Sequence, residues 1–159
     1  MIPLDDLILL DTNIILQFIR KNIVGQQLES DYKFRSRPNQ SLISYVTKGE
    51  MYALAMKFGW GEQKKAYLNT RLDKLTIIDL NLPGVIDNYA QIDYFSEKIM
   101  KPARPMGQND LWIAATAATL GVCLMTTDDD FDHLHPKYIQ RIKIDAKTGK
   151  TINSLPNSA

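Results

Sequence analysis

Two short runs of consecutive apolar residues constrain the fold of this chain more than any other feature. Residues 7–10 read Leu-Ile-Leu-Leu, and residues 122–125 read Val-Cys-Leu-Met. A strand with one face in water alternates apolar and polar residues, whereas a strand inside a parallel sheet is apolar throughout because both of its faces are covered. The two runs therefore predict buried strands of a parallel sheet.

Segments with helical character separate these runs from further strand candidates. Helices are predicted at residues 14–20, 51–58, 62–72, 83–98 and 111–118. Thr47-Lys48-Gly49-Glu50 matches a capping box ahead of the second of these helices. Shorter strands are predicted at residues 41–46, 75–80 and 139–144, and a surface loop or weak helix at residues 21–40. This alternation predicts an α/β fold with a mostly parallel central β-sheet flanked by α-helices.

Length and composition predict one domain and indicate where it works. The chain has 159 residues, of which 45% are hydrophobic, enough for a core of its own. We expect the domain to span residues 1–152 and the polar residues 153–159 to form a flexible tail. A single cysteine, no basic segment before the first apolar run and no run of membrane-spanning length predict a cytoplasmic protein without a membrane anchor. A net charge of +1 provides no broad basic surface for nucleic acid.

Acidic residues follow the two apolar runs. Asp11 comes directly after the first run, and Asp128 follows the second through Thr126 and Thr127. Asp110 opens a predicted helix just before the second run. Ligands of parallel sheets bind beyond the carboxyl ends of the strands, and grouped carboxylates repel one another unless a cation lies among them. The sequence therefore predicts a site for a hard cation such as Mg²⁺ or Mn²⁺.

Each acid, taken alone, also has an ordinary structural explanation. Asp11 shapes a turn in that interpretation, and Glu50 closes the capping box. Asp110 favours the positive end of a helix dipole, and residues 128–130 form a solvated loop. Asp79 also follows a predicted strand, so position after a strand does not by itself identify a metal ligand.

Four segments resemble, in order along the chain, the motifs of the PIN-domain family. Residues 9–15 contain Asp-Thr-Asn, and residues 44–50 end in a glutamate. Residues 107–115 open a helix with an aspartate, and residues 124–134 run from a strand into an acidic turn. The resemblance extends over nearly the whole chain and is greatest for the VapC-type toxins of bacterial toxin–antitoxin pairs.

The resemblance implies a single PIN-like nuclease domain. Its activity would be that of a Mg²⁺- or Mn²⁺-dependent endoribonuclease, hydrolysing RNA phosphodiester bonds with water activated by the metal. The acids expected to act in catalysis are Asp11, Glu50, Asp110 and Asp128. Those expected to bind the metal are Asp11, Asp110, Asp128 and Asp130. Side chains expected to support them are Thr12, Asn13 and Thr127. The family also implies a homodimer and a small cognate antitoxin protein that covers the active site.

Strand geometry distinguishes the three consecutive aspartates of the last motif. Asp128 comes first after the strand and is expected to project beside Asp11. Asp129 should point the other way, because side chains alternate along extended chain. Asp130 returns to the first side as the chain turns. We expect Asp128 to be the ligand and Asp130 to be an outer companion, which is also the order that the family motif implies.

The alternative is a PIN-like scaffold that binds a partner without cutting RNA. Such scaffolds usually lose acids of the site, whereas this sequence has an acid at all four motif positions. A phosphotransferase similar to the haloacid dehalogenases needs a second aspartate where this chain has Asn13. A dinucleotide-binding enzyme needs a glycine fingerprint after the first strand, and residues 11–13 provide none.

Residues 22–38 depart from the compact toxins of the family, because this segment is longer and more polar.

Overall fold

A computed structural model describes residues 7–37 and 41–152 of the chain. Its strands form one parallel sheet in the order β3-β2-β1-β4-β5. They are β1 (Ile8–Leu10), β2 (Leu42–Ser44), β3 (Thr76–Ile78), β4 (Cys123–Thr126) and β5 (Gln140–Lys143). The expected tail, residues 153–159, lies outside the described residues, so the domain boundary stays a prediction.

Helices connect these strands and cover the sheet. They are α1 (Thr12–Arg20), α2 (Ile23–Tyr32), α3 (Tyr45–Lys57), α4 (Glu62–Leu72), α5 (Val85–Tyr94) and α6 (Gln108–Leu120). A π-helical turn, Phe95–Ile99, continues α5, and a 3₁₀ helix, Asp129–Leu134, follows β4. The predicted α/β fold is confirmed. None of the helices in the described ranges is both long and apolar enough to cross a membrane.

Side chains of the central strands alternate between two hydrophobic clusters. Ile8 and Leu10 pack on the side of α1 to α4, whereas Leu9 packs on the side of α5 and α6. None of the three is more than 1% exposed. The unbroken apolar run thus has the explanation expected from sequence, namely a strand with a covered face on each side.

The segment after α1, predicted as a surface loop or weak helix, is helical but contributes buried side chains to the core. It folds into α2, which buries Val24, Leu28 and Tyr32 at four-residue spacing. Gly25 makes the segment look irregular in sequence, but its lack of a side chain lets α2 approach α1 closely. A Cβ atom at this position would lie 2.7 Å from the backbone oxygen of Gln17.

The predicted capping box is wrong. Helix α3 begins earlier, at Tyr45, and its N-cap is Ser44, whose hydroxyl accepts a hydrogen bond from the Val46 backbone N–H. Thr47 is therefore inside the first turn and fully buried. Glu50 lies one turn further along the helix and is available for another contact.

The close approach at Gly25 generates a test of the α1–α2 packing. We expect Gly25→Ala to lower the free energy of unfolding by about 1–3 kcal/mol, because the added methyl group meets backbone rather than a flexible side chain. Gly49→Ala is the matched control, since Gly49 is also helical but exposed, and a methyl group added there would have no neighbour within 4 Å. It should stabilise α3 by up to about 1 kcal/mol. Urea unfolding followed by circular dichroism measures both, and equal effects would contradict the proposed packing.

Candidate active site

Pairing of β1 with β4 brings two strand ends to the same level of the sheet. Leu10 lies opposite Met125, and the Asp11 backbone N–H donates to the Met125 carbonyl oxygen at 3.0 Å. The next residue on β4, Thr126, therefore lies beside Asp11. Asp128 follows two residues later, so both acids reach the carboxyl edge of the sheet.

Asp11 is 3% exposed, and hydrogen bonds hold both of its carboxylate oxygens. As N-cap of α1, it accepts a bond from the Thr12 backbone N–H on Oδ1 at 2.7 Å. Its Oδ2 accepts a bond from the Thr126 hydroxyl, also at 2.7 Å. The carboxylate is consequently fixed in orientation between the first helix and the fourth strand.

Glu50 joins this group through Thr12. The Thr12 hydroxyl lies 2.7 Å from Glu50 Oε1 and 3.1 Å from the Thr47 hydroxyl oxygen. A hydroxyl carries one hydrogen, and the nearer carboxylate oxygen is the stronger acceptor, so Thr12 donates to Glu50 and Thr47 donates to Thr12. This chain of bonds ties the second turn of α3 to the start of α1.

Three further carboxylates meet in front of Asp11. Asp110, Asp128 and Asp130, here called the three-acid group, each offer an oxygen atom, and these atoms lie within 4.8 Å of one another. Asp110 comes from the first turn of α6. Asp128 is the N-cap of the 3₁₀ helix, where its Oδ1 accepts the Asp130 N–H at 2.9 Å. Asp11 is not a member of the three-acid group.

Two acids of this cleft resist ionisation. Burial raises the pKa of Asp11 from 3.8 to about 6, with smaller contributions from the negative charges of Asp128 and Glu50. Burial also raises the pKa of Asp110 from 3.8 to about 7, and the charges of Asp11, Asp128, Asp130 and Glu50 add to the effect. A bound cation would stabilise the ionised forms of these carboxylates and so offset the effect of burial and of their mutual repulsion.

A cavity of about 380 Å³ gives access to these acids. Its lining includes Asn13, predicted as a supporting residue, and Asn109. It also includes Lys57, which the sequence analysis missed. Lys57 lies seven residues after Glu50, two turns along α3, so both side chains occupy the same face of that helix. The cleft therefore combines carboxylates with one ammonium and two amide side chains.

The sequence of this chain has counterparts among known proteins. It matches the model of the PIN domain over residues 8–135. The chain belongs to the PIN-domain family. This confirms the resemblance drawn from the four motifs. The chain is also similar to ribonuclease VapC2 of Haemophilus influenzae, with 28% identity over 120 residues that cover 76% of this chain and 85% of that protein.

Solved VapBC structures share the fold of this PIN domain. VapBC2 from Rickettsia felis, bound to a DNA fragment from its promoter, matches with a TM-score of 0.71 and 22% identity, covering 86% of this chain and 98% of that one. DNA-bound VapBC from Salmonella typhimurium matches with a TM-score of 0.70 and 21% identity, covering 87% and 98%.

One predicted supporting residue, Thr127, does not make the contact expected of it. The hydroxyl that bonds Asp11 belongs to Thr126 and not to Thr127. The same Thr126 oxygen accepts the backbone N–H of Asp128 at 2.9 Å, so one side chain holds two acids of the PIN domain. The register of β1 against β4 is the signal that identifies Thr126. Leu10 pairs with Met125, so the residues that follow them, Asp11 and Thr126, lie side by side.

Other polar residues near the site have structural partners. The side chain of Asp129 is 82% exposed and pairs with Lys143, so it points away from the three-acid group. This pairing holds the pKa of Asp129 below its usual value. His133 Nε2 lies 2.7 Å from the hydroxyl oxygen of buried Ser96, and burial lowers the pKa of His133. Asp79 is exposed after the edge strand β3, where it accepts the Asn81 N–H in a turn.

The donor set of the three-acid group fits a divalent cation. Asp110, Asp128 and Asp130 supply only hard carboxylate oxygens, which suit Mg²⁺ and Mn²⁺. Across residues 7–37 and 41–152, none of the ion pairs involves these three side chains. Their negative charge is therefore not neutralised by a neighbouring lysine or arginine.

The raised pKa of Asp110 predicts how the metal-free protein responds to pH. The folded protein retains a proton on Asp110 up to a pH of about 7, whereas the unfolded chain loses it near 3.8. Between these values the native state binds more protons, so stability falls as the pH rises. We expect the melting temperature in EDTA to fall from pH 5 to pH 8, and to fall less in Asp110→Asn.

Asp79→Asn is the control for that experiment, because it removes an exposed carboxylate outside the cleft. It should leave the wild-type dependence on pH in place. If the melting temperatures of Asp110→Asn and the wild type fell in parallel with pH, the raised pKa of Asp110 would not be the cause of the pH dependence.

Proposed function

We propose that this protein is a metal-dependent endoribonuclease, the toxin of a type II toxin–antitoxin pair. The observation that carries the proposal is the meeting of Asp110, Asp128 and Asp130 within 4.8 Å, at a cleft of a PIN domain that Asp110 and Asp128 line together with Asp11 and Glu50. Its similarity to a VapC ribonuclease supports the same activity.

Each acid has a distinct part in this proposal. Asp110 and Asp128 would hold Mg²⁺ or Mn²⁺, and Asp130 would assist beside them. When bound, the cation supplies positive charge that polarises the scissile phosphate and lowers the pKa of the attacking water. Asp11 presents a carboxylate whose direction is set by its two hydrogen bonds. Glu50 is held through Thr12 and completes the negative wall of the cleft.

Contacts to RNA would come from the polar side chains at the cavity. Lys57 offers an ammonium group to a phosphate oxygen, and Asn13 and Asn109 offer amide donors. With a net charge of +1, the protein has little general attraction for RNA, so binding rests on such local contacts. The cleft also excludes much of the solvent around Asp11, which strengthens electrostatic interactions there.

The alternative of a non-catalytic scaffold is less consistent with these energetics. Burying Asp11 and Asp110 destabilises their ionised forms, as their raised pKa values indicate. A bound divalent cation would stabilise these ionised forms, and a scaffold without a catalytic site does not require four acids at these motif positions.

We expect the purified protein to cleave single-stranded or loop RNA in Mg²⁺ or Mn²⁺. Excess EDTA should abolish cleavage and added metal should restore it, because the three-acid group has no protein cation among the described residues to replace the metal ion. Gel analysis of an end-labelled RNA measures the effect. Cleavage that continues in excess chelator would contradict the metal mechanism.

The three consecutive aspartates provide matched controls for this assay, since each substitution removes one charge from the same turn. Asp128→Asn should abolish cleavage, and Asp130→Asn should reduce it by about tenfold as an assisting acid. Asp129→Asn should retain activity, because that side chain lies outside the cleft and the asparagine oxygen still accepts a hydrogen bond from Lys143. A dead Asp130→Asn beside an active Asp128→Asn would reverse the assignment.

We also propose that the protein forms a homodimer and binds a small antitoxin encoded beside it. Solved structures that share its fold include one described as a toxin–antitoxin complex and one described as a member of the VapBC family of toxin–antitoxin systems. Its own surface carries large exposed apolar side chains suited to protein contacts, namely Tyr52, Met56 and Phe58 near the end of α3, and Ile86, Tyr94 and Ile99 along α5 and its extension. We also propose a cytoplasmic location, which is where an RNA substrate and such a partner would be met and which agrees with the single cysteine.

Light scattering after size exclusion tests the oligomer. We expect twice the chain mass of 18.1 kDa at micromolar concentration. When the adjacent short reading frame is co-expressed, its product should co-purify with the protein and inhibit cleavage. A species of 18.1 kDa under all conditions, with no co-purifying product, would contradict both proposed assemblies.

A further inference from the structure

The acids after β4 face two different environments. Asp128 and Asp130 join Asp110 in the three-acid group. Asp129 and Asp132, from the same 3₁₀ helix, instead form ion pairs with Lys143. The turn that presents the proposed metal ligands is therefore tied on its other side to a lysine.

Lys143 is a firm anchor for this turn. It belongs to β5, where it pairs with Thr126 of β4, the residue that holds Asp11 and Asp128. Its side chain is 8% exposed. The Lys143 ammonium donates to Asp129 Oδ1 and, at 3.3 Å, to Asp132 Oδ1. An ammonium buried to this extent is costly unless it is paired, so the two acids are held firmly.

Two arginines reinforce the same turn. The Arg141 guanidinium, whose side chain is 7% exposed, lies 3.4 Å from Asp132 Oδ1. Arg104 donates from Nη2 to the Asp129 carbonyl oxygen at 3.1 Å. These contacts restrain both the side chains and the backbone on either side of Asp130.

We propose that Lys143 is a positioning residue, which fixes the turn after β4 so that Asp128 and Asp130 present their oxygens together to a divalent cation. The inference rests on the metal site of the proposed function. Lys143 acts through Asp129 and Asp132 and touches neither the cation nor the RNA.

The direction in which one substitution changes the Mn²⁺ affinity distinguishes this positioning role from a simple effect of charge. Lys143→Met keeps an apolar chain of similar length and removes one positive charge near the acidic cleft. As a charge effect alone, this loss would strengthen Mn²⁺ binding. As the loss of an anchor, it weakens Mn²⁺ binding, by about tenfold if it resembles other residues that orient metal ligands.

The experiment titrates each folded variant with Mn²⁺ and follows the electron paramagnetic resonance signal of the free ion. We expect Lys143→Met to bind Mn²⁺ more weakly than the wild type, and Lys150→Met, which removes an exposed lysine, to bind as the wild type does. The Mn²⁺ concentration for half-maximal cleavage should shift with the binding constant. Binding by Lys143→Met that equals or exceeds the wild-type affinity would overturn the proposal.

Asp129 offers a second pair of variants that does not depend on a buried position. Asp129→Asn and Asp129→Ala remove the same charge from a side chain that is 82% exposed, but only the alanine removes the acceptor for Lys143. We expect Asp129→Ala to bind Mn²⁺ more weakly than Asp129→Asn, and equal affinities would overturn the anchor. A wild type that binds Mn²⁺ but cuts no RNA would overturn the nuclease proposal alone. A wild type that binds no Mn²⁺ would overturn both.

Discussion

Parallel pairing between β1 and β4, with helices on both faces of the sheet, brings Asp11 and Asp128 to one edge. The pairing is enforced by burial, since Leu9 and Leu124 pack into one hydrophobic cluster and Ile8, Leu10 and Met125 into the other. Sliding β1 by one residue would turn Ile8, Leu9 and Leu10 to the wrong face of the sheet. The position of the acids is thus a consequence of the core.

That arrangement has an electrostatic cost. Burial destabilises the ionised carboxylates of the cleft and their mutual repulsion adds to this cost, which the raised pKa values of Asp11 and Asp110 express. The protein offsets part of it with hydroxyl groups, since Thr126 donates to Asp11 and Thr12 donates to Glu50. Neutral donors orient the oxygens without cancelling their charge, so the attraction for a cation is preserved.

The buried basic residues near the cleft also leave the charge of the three-acid group uncancelled. Lys143 and Arg141 have buried side chains, yet they pair with Asp129 and Asp132 and not with the three-acid group. Had either ammonium or guanidinium reached Asp128 or Asp110, it would compete with a metal ion for the same oxygens. The turn after β4 thus separates the acids that stabilise the fold from those available to a ligand.

Local sequence is sufficient to predict the central strands and the approach of Asp11, Asp110 and Asp128, because continuous apolar runs and strand ends are local patterns. Contacts between distant segments are not readable in the same way. The choice of Thr126 over Thr127 depends on the register of β1 against β4, which no local pattern reveals. Asp79 resembles the site acids in sequence, but β3 is an edge strand, separated from β1 by β2.

Helix boundaries and packing limit the prediction for the same reason. The capping pattern at Thr47 is as good locally as that of Ser44, and only the contact of Thr47 with Thr12 distinguishes them. Helix α2 looks irregular in sequence because glycine usually interrupts helices, whereas Gly25 permits contact with Gln17. The capping box and the burial of α2 were both mispredicted because Thr47 and Gly25 make their contacts with another helix, α1.

The central claim is that the acids at the carboxyl edge of this sheet form a cation site. Diffraction from a crystal soaked in Mn²⁺, collected at the manganese absorption edge, tests it most directly. We expect an anomalous peak among the carboxylates of Asp110, Asp128 and Asp130, with Asp129 still paired to Lys143. A cleft without such a peak, in a crystal where Mn²⁺ is bound at other acidic residues, would contradict it.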